Sequence, residues 1–158
     1  MTNAFIVGSK RTAFGCLGGK LSNITAAQLG GNAAKAALAQ LPANTPVSST
    51  VFGVVAHTDH TAPYTSRHVG HYAGLPINVP ALTINRLCGS GFQAVINAIH
   101  EIKVGDSDVV LTGGTENMSM SPYTLHGVRF GDTRYGVDVM LGDGLAIALV
   151  VQVPVPTP

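Results

Sequence analysis

The stretch Pro80–Ala94, PALTINRLCGSGFQA, constrains this chain more than any other, because an apolar run turns into a helix across a single Gly-Ser-Gly. Ala81, Leu82, Thr83 and Ile84 form a short, partly β-branched run behind a proline, which predicts a buried strand. Phe92, Val95, Ile96, Ile99 and Ile102 recur at three- and four-residue steps, with Ala94 and Ala98 between them. That pattern predicts a helix apolar almost all round, and therefore buried. Gly89, Ser90 and Gly91 allow a sharp turn and close backbone approach, so Cys88 stands at the helix N-terminus. There, unpaired amides and the positive end of the helix dipole favour thiolate over thiol. The unit reads as a strand–turn–helix elbow with sulfur as the nucleophile. Cys88 is the candidate catalytic residue, and Gly89, Ser90 and Gly91 form the turn that supports it.

The same residues admit plainer readings. Free cysteine is among the most often buried residue types, and many such cysteines are only small hydrophobes. Gly89-Ser90-Gly91-Phe92-Gln93-Ala94 also fits the dinucleotide fingerprint G-x-G-x-x-G/A after a strand. The acidic residue that fingerprint needs roughly 20 positions on is poorly matched. Asp108 precedes the next apolar run, Val109–Leu111, and Glu116 ends it but comes late. Two histidine pairs, His57/His60 and His68/His71, have Asp59 close by but lack metalloprotease spacing and no cysteine joins them. We expect surface and loop histidines and no metal site.

Outside the elbow, helices and strands alternate. Ala4–Gly8 reads as a first strand and Lys10–Lys20 as a glycine-rich loop. Thr25-Ala-Ala-Gln28 is a capping box, with Ile24 and Leu29 as its hydrophobic staple. The alanine-rich helix it opens stops by Pro42, and Gly30 and Gly31 mark a place where another backbone packs closely. Thr50–Ala56 is a second strand, and Ala62–Ala73 a helix ended by Gly74. Gly105 closes the elbow helix, and Asp108–Thr112 is the next strand. The expected fold is α/β, with βαβ units, a mostly parallel or mixed sheet and flanking helices.

Only 11% of the 158 residues are charged and 46% are hydrophobic, against about 25% charged in ordinary soluble domains. A surface so poor in charge implies that another domain or subunit covers part of it. The net charge of +1 gives no reason to expect nucleic acid or an anionic membrane as partner. No apolar run approaches the roughly 20 residues of a membrane helix. Two cysteines and no obvious secretory or transit segment point to a reducing compartment.

Asn85-Arg86-Leu87-Cys88-Gly89-Ser90-Gly91-Phe92-Gln93-Ala94 resembles the nucleophile segment of thiolases, in particular 3-ketoacyl-CoA thiolases of the mitochondrial type. The likeness extends to Lys10–Gly15, to Arg67-His68-Val69 with Gly74-Leu75-Pro76, and to Gly113–Ser119. It implies a thiolase N-terminal core over residues 1–117. Residues 118–141 would be the truncated start of the family's loop-domain insertion, and 142–158 a tail outside the family pattern. It also implies an acyltransferase of fatty-acid metabolism in which Cys88 carries the acyl group and its backbone N–H is one oxyanion donor. Coenzyme A or acyl-CoA would be the substrate, with no covalently bound cofactor. The residues that would hold the coenzyme are not identified.

The family's second half carries Asn-Glu-Ala-Phe, Gly-His-Pro and a second cysteine in Cys-x-Gly. The first two are absent here. Cys16-Leu17-Gly18 spells the third, but in the first loop, where we read Cys16 as structural. The expectation is therefore a catalytically incomplete fragment. By the same resemblance it would form a homo-oligomer, or a heterodimer with a full-length thiolase, and would be mitochondrial, or else cytoplasmic. After Gly142-Asp143-Gly144, Leu145–Val151 resembles the strand that closes the family's sheet. Against that, Pro154, Pro156 and Pro158 favour a frayed extended end.

Overall fold

The computed structural model describes residues 3–125, 129–131 and, for the backbone, 142–143. Its helices are α1 (Ala26–Leu38), α2 (Thr65–Ala73, behind a 3-10 turn at Ala62–Tyr64) and α3 (Ser90–Val104). Its strands are β1 (Ser49–Gly53), β2 (Ala81–Ile84) and β3 (Val110–Gly114). These three form one parallel sheet in the order β2-β1-β3. A separate antiparallel pair joins β4 (Tyr123–Thr124) to β5 (Gly142–Asp143). The Leu145–Val151 strand anticipated above lies outside the described residues.

Local signals explain the element ends. Thr25 Oγ1 accepts from the Gln28 amide at 3.2 Å and Gln28 Oε1 from the Thr25 amide at 3.1 Å, the reciprocal capping box read from sequence. Gly74 and Gly105 close α2 and α3 at φ 89° and 87°, a left-handed conformation that costs glycine little. The crossover through α2 runs from β1 to β2, and the crossover through α3 returns past β1 to β3. Both being right-handed, they place their helices on opposite faces of the sheet. Side chains agree with this. Thr50 and Phe52 of β1 face α1 and α2, where Ala34, Val69, Ala73 and Leu111 complete the core. Gly53, out of step with them, faces the start of α3. Every residue of the central strand β1 is buried.

Gly30 and Gly31 do mark a close approach, and the neighbour is α2. A Cβ at Gly30 would lie 2.8 Å from Val69 Cγ2, and one at Gly31 2.3 Å from Tyr72 Cβ. It is side-chain stems more than backbone that α1 meets there.

Three expectations are corrected. Ala4–Gly8 is not a sheet strand: Phe5, Ile6 and Val7 are largely exposed. The segment runs beyond β3, tied to the end of α1 by the Ser9 amide donating to Gln40 Oε1 at 2.9 Å. An apolar slot of about 490 Å³, lined among others by Ile6, Ala34, Ala98, Ile102 and Leu111, separates it from the edge of β3. No ladder joins the segment to that edge among the described residues. The strand β2 is likewise not buried, because it is the opposite edge, and Ala81 and Leu82 are exposed. Nor is α3 covered all round. Ser90, Ala94 and Ala98 are its buried residues, while Phe92 is 81% exposed. One sheet face covers one helix face, and apolar composition alone does not say whether a second cover is present.

Asn117 ties the long loop before α1 to the strand ends. Its Nδ2 lies 3.3, 3.0 and 2.7 Å from the carbonyls of Leu21, Ser22 and Ile24. Its Oδ1 accepts from the Ser119 amide at 3.0 Å.

Two measurements check this packing. Gly31→Ala should cost about 1–3 kcal/mol through overpacking, whereas Gly105→Ala, with open space around its Cβ, should cost about 1–2 kcal/mol through left-handed strain alone; urea unfolding of both variants gives the values. Asn117→Ala should open the 16–24 loop to protease while α1 stays protected, as peptide mapping would reveal.

Candidate active site

At the end of β2 the chain makes a tight turn before α3. Asn85 Oδ1 accepts from the Leu87 amide at 3.0 Å, an Asx-type turn of the kind asparagine favours. Leu87 then adopts φ 48°, a left-handed conformation uncommon for any residue but glycine, asparagine or aspartate. Ser90 holds it there. Its hydroxyl accepts from the Arg86 amide at 2.8 Å and donates to the Leu87 carbonyl at 2.6 Å. Ser90 itself is 5% exposed, while its two partners belong to exposed residues, so the lock is part-buried.

Cys88 follows the strained residue directly and is exposed. Gly89 is the N-cap and Ser90 the first helical residue, so Cys88 sits one position before the cap. The Gly89 and Ser90 amides donate to the Arg86 and Leu87 carbonyls at 3.1 and 3.0 Å. The amides of Gly91 and Phe92 have no partner among the described residues, as is usual at a helix start. The first turn of α3 carries no acidic residue. The nearest cation in sequence is Arg86, whose Nη1 donates to Gln93 Oε1 at 2.6 Å. Unpartnered amides and the helix dipole thus lie next to an accessible thiol, while the Arg86 guanidinium is held at Gln93. That arrangement favours attack on an acyl carbon and the holding of a thioester.

The supporting glycines act through contact. A Cβ at Gly53 would stand 2.6 Å from both the Ser90 carbonyl carbon and its Cβ, and one at Gly114 would stand 3.2 Å from the Gly91 Cα. The first turn of α3 therefore rests directly on the ends of β1 and β3. Gly89-Ser90-Gly91 serves that packing, and the residues offered for a dinucleotide's ribose are engaged elsewhere or lie before the strand. Glu116 accepts from the amides of Val55 at 2.9 Å and Ala56 at 3.3 Å, and Asp108 precedes β3.

Cys16 is exposed in the first loop, where its carbonyl accepts from the Gly19 amide at 2.9 Å. No cluster of three or more His, Cys, Asp or Glu side chains that could hold a metal occurs among the described residues. Sequence reading missed Asn85, Leu87 and Glu116 as parts of the site. Asparagine two residues before the turn was a usable signal for the first. Nothing local marks a leucine for positive φ or shows where a carboxylate reaches.

The chain matches the family model of the thiolase N-terminal domain over residues 4–153. The chain belongs to the thiolase family. The matched residues run past Leu141, where the motif likeness fades, to 153. It is 48% identical over 153 residues to the human "3-ketoacyl-CoA thiolase, mitochondrial", covering 96% of this thiolase chain and 38% of the relative. It is 43% identical over 150 residues to an acetyl-CoA acetyltransferase of Cupriavidus necator, covering 92% and 38%. Human mitochondrial 3-ketoacyl-CoA thiolase, solved in complex with CoA, superimposes with a TM-score of 0.84 at 49% identity over 92% of this chain and 37% of that one. This thiolase chain therefore spans well under half the length of the relatives it matches.

Burial is the largest influence on the Glu116 carboxyl and raises it above its ordinary 4.5; the two amide bonds and nearby His57 act in the opposite direction. A raised folded value means that the native state binds the proton more tightly than the unfolded one. The group's contribution to stability is then complete below the unfolded value and declines as pH rises through the folded one. Glu116→Gln should remove this decline. The stability of the parent relative to the variant should fall as pH rises above the ordinary glutamate value, as urea midpoints of the two read it. Ser90→Ala should cost about 0.5–1.5 kcal/mol for each of the two part-buried hydrogen bonds it removes, measured the same way.

Proposed function

We propose that this chain supplies the nucleophile-bearing half of a 3-ketoacyl-CoA thiolase, with Cys88 as the acyl acceptor. The observation that carries the proposal is the exposed Cys88 thiol on a locked left-handed turn at the start of α3. The Cys88 sulfur bonds to the keto carbon of a 3-ketoacyl-CoA, and the bond from that carbon to the α-carbon breaks. The released electron pair takes up a proton and acetyl-CoA leaves. The sulfur of free CoA then displaces Cys88 from the thioester. Splitting a carbon–carbon cleavage into two displacements is what covalent catalysis offers, and the Cys88 amide serves as one oxyanion donor.

The acid/base groups that the family resemblance places in the second half, a His and a Cys, have no counterpart at the matching motifs of these 158 residues. Positioned acid/base help is worth about 10²–10⁴ in rate. These residues alone should therefore be acylated without sustained turnover. The domain plan follows the same reading, with the core over 1–117, the beginning of an insertion over 118–141 and a tail over 142–158. A mitochondrial site of action is part of the proposal, by analogy with relatives whose names carry that word.

A second reading, as a subunit that pairs with a full-length thiolase, is favoured by β2, an edge strand with Ala81 and Leu82 exposed. An open edge of this kind invites pairing with another chain. Light scattering of the chain alone and mixed with an intact thiolase distinguishes the two readings by mass.

Intact-mass and peptide mass spectrometry after exposure to a 3-ketoacyl-CoA, and separately to acetyl-CoA, tests the nucleophile. An acyl adduct is expected on Cys88 and not on the equally exposed Cys16. Absence of any adduct, with both cysteines equally reactive toward iodoacetamide, overturns the proposal.

A further inference from the structure

One carboxylate near the elbow has no part in the chemistry above. Glu116 lies two residues beyond the end of β3, half-buried, and reaches across the sheet to the chain leaving β1. Its two oxygens are divided between two amides, Oε2 with Val55 at 2.9 Å and Oε1 with Ala56 at 3.3 Å. The Val55 carbonyl, on the other side of the same residue, accepts from Asn85 Nδ2 at 3.2 Å. Asn85 Oδ1 in turn accepts from the amide of Leu87, the strained residue next to Cys88. Among the described residues, the three strand ends are otherwise joined through backbone. Val54 donates to the Ile84 carbonyl at 3.2 Å and Thr115 to the Gly53 carbonyl at 3.0 Å.

We infer that Glu116 is a positioning residue for the nucleophile turn, acting through Val55 and Asn85 to hold Leu87 left-handed and so fix where the Cys88 thiol stands. The inference rests on the reading of Cys88 as nucleophile. A positive φ at leucine persists only where its surroundings over-determine it. Ser90 fixes the turn from the helix side, and the Glu116–Val55–Asn85 bridge fixes it from the sheet side. A carboxylate is suited to this place because both of its oxygens accept. An amide of the same shape offers one acceptor, and its NH₂ would face a backbone N–H. Keeping a carboxylate half-buried is unfavourable for that group, and the two amides it satisfies offset part of that cost.

The test is site-resolved alkylation. The full chain is treated with iodoacetamide, and the labelling rates of Cys88 and Cys16 are followed by peptide mass spectrometry. In the unsubstituted chain Cys88 should react faster than Cys16. Glu116→Gln should lower the Cys88 rate about five-fold and leave Cys16 unchanged, a coupling of the size seen within one hydrogen-bond network. Asn85→Asp keeps the acceptor for the Leu87 amide and removes the donor to Val55, so it should act in the same direction. The double variant should fall no further than the lower single, because both break one bridge. Val51→Ala weakens the same central strand without touching the bridge and should leave the ratio of rates as it was. A ratio unchanged in both Glu116→Gln and Asn85→Asp overturns the positioning role while leaving Cys88 as nucleophile. A drop in Val51→Ala equal to that in Glu116→Gln overturns it too, since general loosening would then suffice. Equal reactivity of the two cysteines in the unsubstituted chain overturns the nucleophile reading itself, and this inference with it.

Discussion

The first turn of α3 has no side chain between it and the sheet. Gly53 and Gly114 end the two strands beneath it, and a methyl group on either would press into Ser90 or Gly91. Everything at the site follows from that contact. It sets the height of the helix above the strand ends, which brings the Ser90 hydroxyl within reach of both Arg86 and Leu87. Those two bonds bend the chain into a left-handed residue, and the bend leaves the following thiol on the outside. A larger residue at any of the contact positions would move the helix, and with it the exposed Cys88 thiol.

The elbow was readable from sequence because its determinants are local. An apolar run, a glycine pair around serine and a three-and-four spacing each report on neighbours a few positions away, and so do the capping box at Thr25 and the terminal glycines at 74 and 105. The failures share one cause. Ala4–Gly8, Ala81–Ile84 and α3 are apolar, and apolar composition predicts burial, but burial requires a second surface. β2 and the slot beside β3 are the two margins of the sheet, and Phe92 lies on the side of α3 away from it. Periodicity says which residues share a face; it cannot say whether anything rests on that face.

The parts of the site that were not legible depend on distance along the chain. Asn85 and Leu87 lie beside Cys88 in sequence, yet the need for a positive φ comes from Ser90 on one side and Val55 on the other. Glu116 lies 61 positions from Val55, and only the parallel order β2-β1-β3 brings the ends of the first and third strands together. In a parallel sheet all strand ends point the same way, so residues just past them collect on one side, which is where such folds place their chemistry. A residue that follows a strand by two positions therefore has a stronger claim on the site than its sequence neighbourhood suggests.

Half of an active site can still be a chemically coherent object when the reaction is divided in time. Acyl transfer to sulfur and release from sulfur are separate displacements, and the first asks mainly for an exposed, stabilised thiolate and a donor for the oxyanion. In the proposed reading, the segment from β2 through the first turn of α3 presents the exposed Cys88 thiol for that first displacement. Proton delivery to the departing carbon and activation of the thiol call for groups on a different surface. A division of labour along these lines explains how the geometry of the turn can be complete within residues that span well under half of the family's length. The elbow is held by its own sheet, whose strand ends Gly53 and Gly114 meet the first turn of α3 directly.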